Sequence, residues 1–170
     1  TGIALLDEKR QNLNVVAEHN ISPDEPSAIG ISIPLEDNPS STRVIETRRP
    51  LVIANAQTDP VTEPIHALLR ERRTQCLMIV PLLARGAVIG TIGVDTTDPA
   101  RTFTSAEVTL VETIAGQLAG VIENIRLFEE AERNATELSA LFAAMTDVVL
   151  VYDKDGRYIK IAPTNPALLY

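Results

Sequence analysis

Apolar residues recur along this chain in two rhythms. From Thr104 to about Met145 they come every three or four positions. Val111, Ile114, Leu118, Val121, Ile125 and Phe128 form the a/d seam of a helix that pairs with another helix. The next seam position would be Glu132, so the phase breaks and resumes as Ala131, Ala135, Leu138, Phe142 and Met145, a three-residue slip of the stammer kind. Phe103-Thr104-Ser105-Ala106-Glu107-Val108 predicts the helix start: Thr104 caps the first free N–H groups, Glu107 reaches back, and Phe103 staples onto Val108. No proline follows until Pro163. Unbroken, such a helix would be about 60 Å long at ~1.5 Å per residue, more than one small domain can cover. Its first turns are expected to pack their stripe on the domain's own sheet. Beyond about Glu123 it should outrun that sheet, and Ile125, Phe128 and Leu138 then need another cover. The pattern predicts a helix that leaves one domain, pairs with a copy of itself and enters a second.

Elsewhere the apolar residues come in short runs. Ile3-Ala4-Leu5-Leu6 and Leu13-Asn14-Val15-Val16-Ala17 read as strands, and the polar stretch from Asp7 to Asn12 fits a hairpin turn. Ile29, Ile31, Ile33 and Leu35 alternate with Gly30, Ser32 and Pro34 as a half-buried strand or extended lead-in. Asn38-Pro39 is a helix cap with proline at the first helical position. That helix carries Val44 and Ile45 inward and must end before Pro50. Leu51-Val52-Ile53-Ala54 is the next strand. From Asn55 to Pro64 runs a polar, proline-punctuated loop of the length that often carries function. A helix over 64–73 is expected to bury Ile65, Leu68 and Leu69, with Arg70, Arg72 and Arg73 at its negative pole.

The central hairpin is the clearest of these signals. Cys76 to Ala84 is almost wholly apolar, as a strand covered on both faces would be. Arg85-Gly86 turns the chain, and Ala87 to Asp95 returns with Val88, Ile92 and Val94 on one face. Gly90 predicts close approach by a helix or a ligand. So short a connection makes the strands antiparallel. Residues 1–128 are thus expected to be an α+β domain, an antiparallel sheet with flanking helices. After the long helix, assigned to 104–145, two strand-like runs (148–152 and 157–161) flank the turn signal Asp153-Lys154-Asp155-Gly156, and Asn165-Pro166 opens a further helix. A lone hairpin is marginal in water, so 137–170 is expected to be the opening of a second domain.

Composition narrows the partners. A net charge of −8 argues against nucleic acid and anionic membranes, both of which need a basic face. Between 104 and 145 seven Glu face only Arg126 and Arg133, which points to solvated outer faces. Cys76 is the only cysteine, so no intrachain disulfide forms and a reducing cytoplasm is expected. The longest apolar run, Leu77 to Ala84, is far short of a membrane span. The chain begins inside a strand-like run without an initiator methionine, so it reads as a piece of a larger protein whose membrane anchor, if any, lies outside it.

Catalytic signals are weak. His19 and His66 are the only histidines, and with Cys76 they show no metal spacing. Gly86, Gly90 and Gly93 lack the spacing of a nucleotide loop and sit inside a strand pair. No nucleophile elbow is present. No histidine follows His66, so the long helix is not the phosphoacceptor helix of a histidine kinase. Asn55 and Asp59 read either as site residues or as capping and turn residues, and His66 as a ligand-binding or an internally satisfied histidine.

Four segments, in this order and spacing, resemble the GAF domain family over about residues 1–128. They are Ile33-Pro34-Leu35 with Val44-Ile45-Glu46-Thr47-Arg48-Arg49-Pro50-Leu51-Val52-Ile53; Leu77-Met78-Ile79-Val80-Pro81-Leu82; Gly86-Ala87-Val88-Ile89-Gly90-Thr91-Ile92-Gly93-Val94; and Phe103 to Ile114. The family's usual first helix is missing. Residues 137–170, with Asp147-Val148-Val149, Asp153-Lys154-Asp155-Gly156 and Asn165, resemble the start of a PAS domain. The resemblance implies a non-catalytic, cytoplasmic sensory input module of a bacterial signalling protein, a sensor histidine kinase first. A cyclic-di-nucleotide enzyme, a transcription regulator or a ligand-free dimerisation domain are the alternatives. It implies a small-molecule pocket beside the sheet, for which Ile53, Asn55, Asp59, His66 and Cys76 are the candidate residues. The a/d seam of the long helix, in turn, predicts a homodimer through Leu118, Val121, Ile125, Phe128, Leu138 and Phe142. The ligand is not implied. The Asn-Lys pair of cyclic-nucleotide-binding members has no counterpart here. Cys76, flanked by Gln75 and Leu77 in a strand, does not match a bilin attachment site. One cysteine cannot complete the cycle of the members that reduce methionine sulfoxide. No covalent bilin, haem or metal is expected.

Overall fold

Six of the short apolar runs close into one antiparallel sheet. The computed structural model describes residues 1–20, 27–144 and 149–162, and the chain divides into two compact units, Thr1–Ile122 and Glu123–Tyr170. In the first unit β1 (Gly2–Leu6), β2 (Asn12–Glu18), β3 (Ser32–Pro34), β4 (Leu51–Ile53), β5 (Cys76–Ala84) and β6 (Ala87–Thr96) are ordered β3-β2-β1-β6-β5-β4. All neighbours are antiparallel. Of the expected strand over Ile29–Leu35, Ser32–Pro34 forms the regular ladder, Gly30 and Ile31 bond Val15 irregularly before it, and Ile29 and Ile31 stay exposed. Pro81 sits inside β5 but beyond Ile79, the last residue paired with β4, at an edge where a missing N–H is tolerated.

Turn chemistry recurs. Asp7 accepts the Gln11 N–H at 2.8 Å while the Arg10 N–H donates to the Asp7 carbonyl at 3.0 Å. In the second unit Asp153 accepts the Arg157 N–H at 2.8 Å and its carbonyl takes the Gly156 N–H at 3.0 Å. That second turn joins β7 (Val149–Tyr152) to β8 (Tyr158–Ala162). Both turns need one left-handed residue, supplied by Gly156 in one and by Arg10, at φ 57°, in the other. Met145, Asp147-Val148 and Asn165-Pro166 lie outside the described residues.

One sheet face is covered by α3 (Ser105–Ala144), continuous over 40 residues. Its start is the expected capping box. The Glu107 carboxylate accepts the Thr104 N–H at 2.8 Å, and Thr104 Oγ1 accepts the Glu107 N–H at 3.3 Å. Arg101 adds an ion pair at 2.9 Å.

The stripe on the sheet differs from the expected seam. Val108, Val111, Ala115, Leu118, Ala119 and Ile122 pack on Met78, Val80, Leu82 and Ile92. Ala115 and Ala119 are 1% and 0% exposed, whereas Ile114 and Val121 are 43% and 56% exposed. The small alanines let the helix axis come close, and that close contact sets the helix rotation.

The returning strand is also re-phased. A bulge at Leu82/Leu83 shifts the register, so Ile92 and Val94 face α3 while Val88 joins the core on the other face. Gly90 does mark a close approach, but by strand β1 and not by a helix or ligand. A Cβ there would meet the Ala4 carbonyl oxygen at 2.3 Å and Leu5 Cα at 3.0 Å.

Two outcomes follow from these contacts. Gly90→Ala should cost about 2 kcal/mol or more, read as a lower urea midpoint, because backbone must move to admit the methyl. The capping box holds the Glu107 carboxyl down at about 2, chiefly through the Thr104 N–H and then through the Arg101 side chain. Because the folded-state value is depressed, the contribution is complete above the ordinary Glu range near 4.5 and is lost as pH falls towards about 2. Melting temperature followed across that window should fall less in Glu107→Gln than in the wild type.

Candidate functional site

The face opposite α3 carries Ile53, Asn55, Asp59 and His66, four of the five residues that the sequence singles out. Ala4, Leu6, Leu13, Val15 and Val88 form its core at one side, and Ile53, Ala56 and Leu69 a smaller cluster at the other. Over it lie α1 (Pro39–Thr47), a 3-10 turn (Pro60–Ile65) and α2 (His66–Glu71). Asn38 caps α1 as its sequence predicts, accepting the Ser41 N–H at 3.1 Å and the buried Ser40 hydroxyl at 2.8 Å, with Pro39 following. Val44 is fully buried beneath it. The expected helix over 64–73 is split into the 3-10 turn and α2. Leu68 is exposed on this short helix, while Ile65 and Leu69 pack inward.

The loop from Asn55 is tied to itself. The Asn55 carbonyl accepts the N–H groups of Thr58 and Asp59, each at 3.0 Å. Asp59 caps the 3-10 turn, its carboxylate accepting the Val61 N–H at 2.9 Å. The Asp59 carbonyl lies 2.9 Å from His66 Nε2, so that nitrogen carries the proton and donates. Buried Thr62 reaches both the Ala56 carbonyl at 2.7 Å and the Asp59 carbonyl at 2.9 Å. Asn55, Asp59 and His66 therefore come together as one hydrogen-bonded segment, and Ile53 is buried with Ala56 and Leu69. Cys76 does not join them. It is in phase with Met78 and Val80, which pack under α3, and it is fully buried. An open depression lined by Asp7, Glu8, Lys9, Gln11 and Asn12 sits at the β1–β2 turn, apart from all five. Among the described residues no cluster of His, Cys, Asp and Glu could hold a metal ion.

Sequence reasoning missed Glu18. Its side chain is only 7% exposed, yet it lies 3.5 Å from the Arg72 guanidinium. It also accepts the Ala28 N–H at 2.6 Å and the Ser27 hydroxyl at 3.2 Å. Burial alone would push the Glu18 carboxyl up. The Ala28 N–H, the side chains of Ser27 and Asn20, and then Arg72 outweigh it and hold the group below the usual carboxylate range. The only local signal was a carboxylate closing a strand of buried alternate positions. Arg72, read as a partner of the helix pole, was not distinguishable from Arg70 and Arg73.

An antiparallel sheet with one long helix on one face, and short helices with a self-tied loop on the other, defines an α+β domain. Residues 1–123 match the model of the GAF domain. The chain belongs to the GAF domain family, whose members are regulatory modules of signalling proteins that bind small molecules. No curated protein matches it. Among solved structures it is similar to the GAF domain/HD domain protein from Geobacter sulfurreducens. The identity is 19%, the TM-score 0.65, and 74% of this chain and 80% of that one are covered. A methyl-accepting chemotaxis protein (residues 122 to 287) gives 23% identity and TM-score 0.62 over 75% and 79% of the two chains. The phycocyanobilin-bound GAF domain of a cyanobacterial phytochrome gives 18%, 0.62, and coverage of 74% and 75%. At these identities the likeness is one of fold. No described helix is long and apolar enough to cross a membrane.

Thr62 gives the self-tied loop a direct test. Thr62→Val leaves the Ala56 carbonyl without its hydroxyl donor, while the Asp59 carbonyl keeps His66 and the residue-62 N–H, and should cost about 1–2 kcal/mol in chemical denaturation. A change near zero would mean that water replaces the hydroxyl.

Proposed function

We propose that the chain is a cytoplasmic sensory input module of a bacterial multidomain signalling protein, a sensor histidine kinase by preference, and that it acts as a homodimer through α3. The observation that carries this reading is a second apolar stripe on that helix. Leu110, Ile114 and Val121 lie about a quarter turn from the sheet-facing stripe, at roughly 100° per residue, and all three are exposed. Between Val108 and Ile122 the only charge is Glu112. In a chain of net charge −8, a nearly neutral apolar helix face suits a second copy of the same chain better than a basic partner. Ile125, Phe128 and Leu138 are exposed further along α3 and extend the pairing surface. Phe142 also falls within the helix. Leu118 is half-buried against the sheet and lies at the margin of this surface.

In this mechanism a small molecule on the face opposite α3 alters how α3 packs on the sheet. The change passes along the helix towards the PAS-like hairpin of the second unit. A ligand-free dimerisation domain is the second reading, and one observation favours it: Ile53 is buried and the Asp59 and His66 side chains are engaged within the fold.

Native mass spectrometry of freshly purified protein tests both. Dimer mass with a stoichiometric extra mass supports the sensor, and bare dimer the dimerisation domain. Monomer alone would overturn the pairing. Ile114→Lys together with Val121→Lys should convert dimer to monomer while leaving the circular dichroism of the fold unchanged.

A further inference from the structure

The sheet order separates β2 from β5 by two strands, yet the buried Glu18 at the end of β2 meets Arg72, which ends α2 just before β5. The register explains how they reach each other. Glu18 pairs with Gly2, and Gly2 with Gly93, so the cross-strand row beside Glu18 holds two glycines and no side chain. The contacts of Glu18 are unequal. One carboxylate oxygen takes the Ala28 N–H at 2.6 Å and the Ser27 hydroxyl at 3.2 Å. The other meets the guanidinium through one nitrogen at the longer distance of 3.5 Å. Arg72 is 32% exposed and can turn to water, whereas a buried carboxylate cannot leave its backbone donor without a large desolvation cost.

We propose that Glu18 and Arg72 form a one-sided clasp: Arg72 lets go, Glu18 keeps its hold on residues 27–28, and α2 is thereby freed from strand β2. The clasp gives the face opposite α3 a defined moving part. α2 and the Asn55–Ile65 segment that His66 ties to it can shift while β1, β2 and the 27–31 segment stay in place. The Thr74 hydroxyl, 3.5 Å from Asp95, marks the hinge side, next to the point where the Gln75 N–H enters the sheet on the Thr96 carbonyl. This inference concerns motion within the fold and stands apart from whether a ligand is found.

Amide hydrogen exchange of the whole chain tests it. In Arg72→Ala the amides of Arg73 and Thr74, which close the end of α2 on the Arg70 and Leu69 carbonyls, should exchange about tenfold faster, while Ala28 and Ile31 keep wild-type rates. In Glu18→Ala both groups should accelerate. Val80 and Ile92, in the central hairpin, should be unchanged in both variants. Should Glu18→Ala fail to fold, Glu18→Gln serves instead, since it keeps an acceptor for the Ala28 N–H and should behave like Arg72→Ala. The clasp is overturned if Arg73 and Thr74 keep wild-type rates without Arg72, or if Ala28 accelerates there as much as in Glu18→Ala. It is equally overturned if the central hairpin loosens along with them.

Discussion

The close seat of α3 on the sheet is the contact on which the first unit depends. Ala115 and Ala119 bring the helix backbone down on Met78, Val80 and Leu82, with Val108, Val111, Leu118 and Ile122 filling the flanks. A larger residue at either alanine would lift the helix and open the layer beneath it. The same contact sets the rotation of α3, and rotation decides which residues are left outside. Ile114 and Val121 are outside because Ala115 and Ala119 are inside. The apolar surface left exposed on α3 is thus a consequence of the core.

The opposite face is held in a different way. Its layer is closed largely by hydrogen bonds: Asn38 with Ser40 and Ser41, Thr62 and His66 on the Asp59 carbonyl, Glu18 with Ala28. Apolar packing under it is divided between two small clusters, in contrast to the single continuous core beneath α3. A layer of short helices tied by directional bonds opens in smaller steps than a packed core. The fold therefore pairs a continuously packed side, which carries α3, with a side held in smaller pieces.

Local chemistry was legible residue by residue. Asn38-Pro39, Thr104 with Glu107, Arg85-Gly86 and Asp153 to Gly156 each act through atoms only a few residues apart, and each does in the structure what its side chain dictates. The strand runs were legible for a related reason, since alternation along an extended chain needs no knowledge of the partner strand. Legibility failed where a distant atom decides. The bulge at Leu82/Leu83 sends Val88 and Ile92 to opposite faces, and Cys76 is in phase with Met78, on the face away from the loop it was grouped with.

By itself, then, the sequence determined the α+β class, the antiparallel central hairpin, the helix starts and turns, and a helix running unbroken from Ser105 to Ala144. Those follow from periodicity and short-range hydrogen bonding, which the chain carries wherever it goes. Only the tertiary structure decided that α3 rests on its alanines, that Gly90 makes room for strand β1, and that Glu18 finds Arg72 across two intervening strands. In each case the deciding quantity is a distance between residues far apart in the chain, and no pattern along the sequence records it until the sheet has closed.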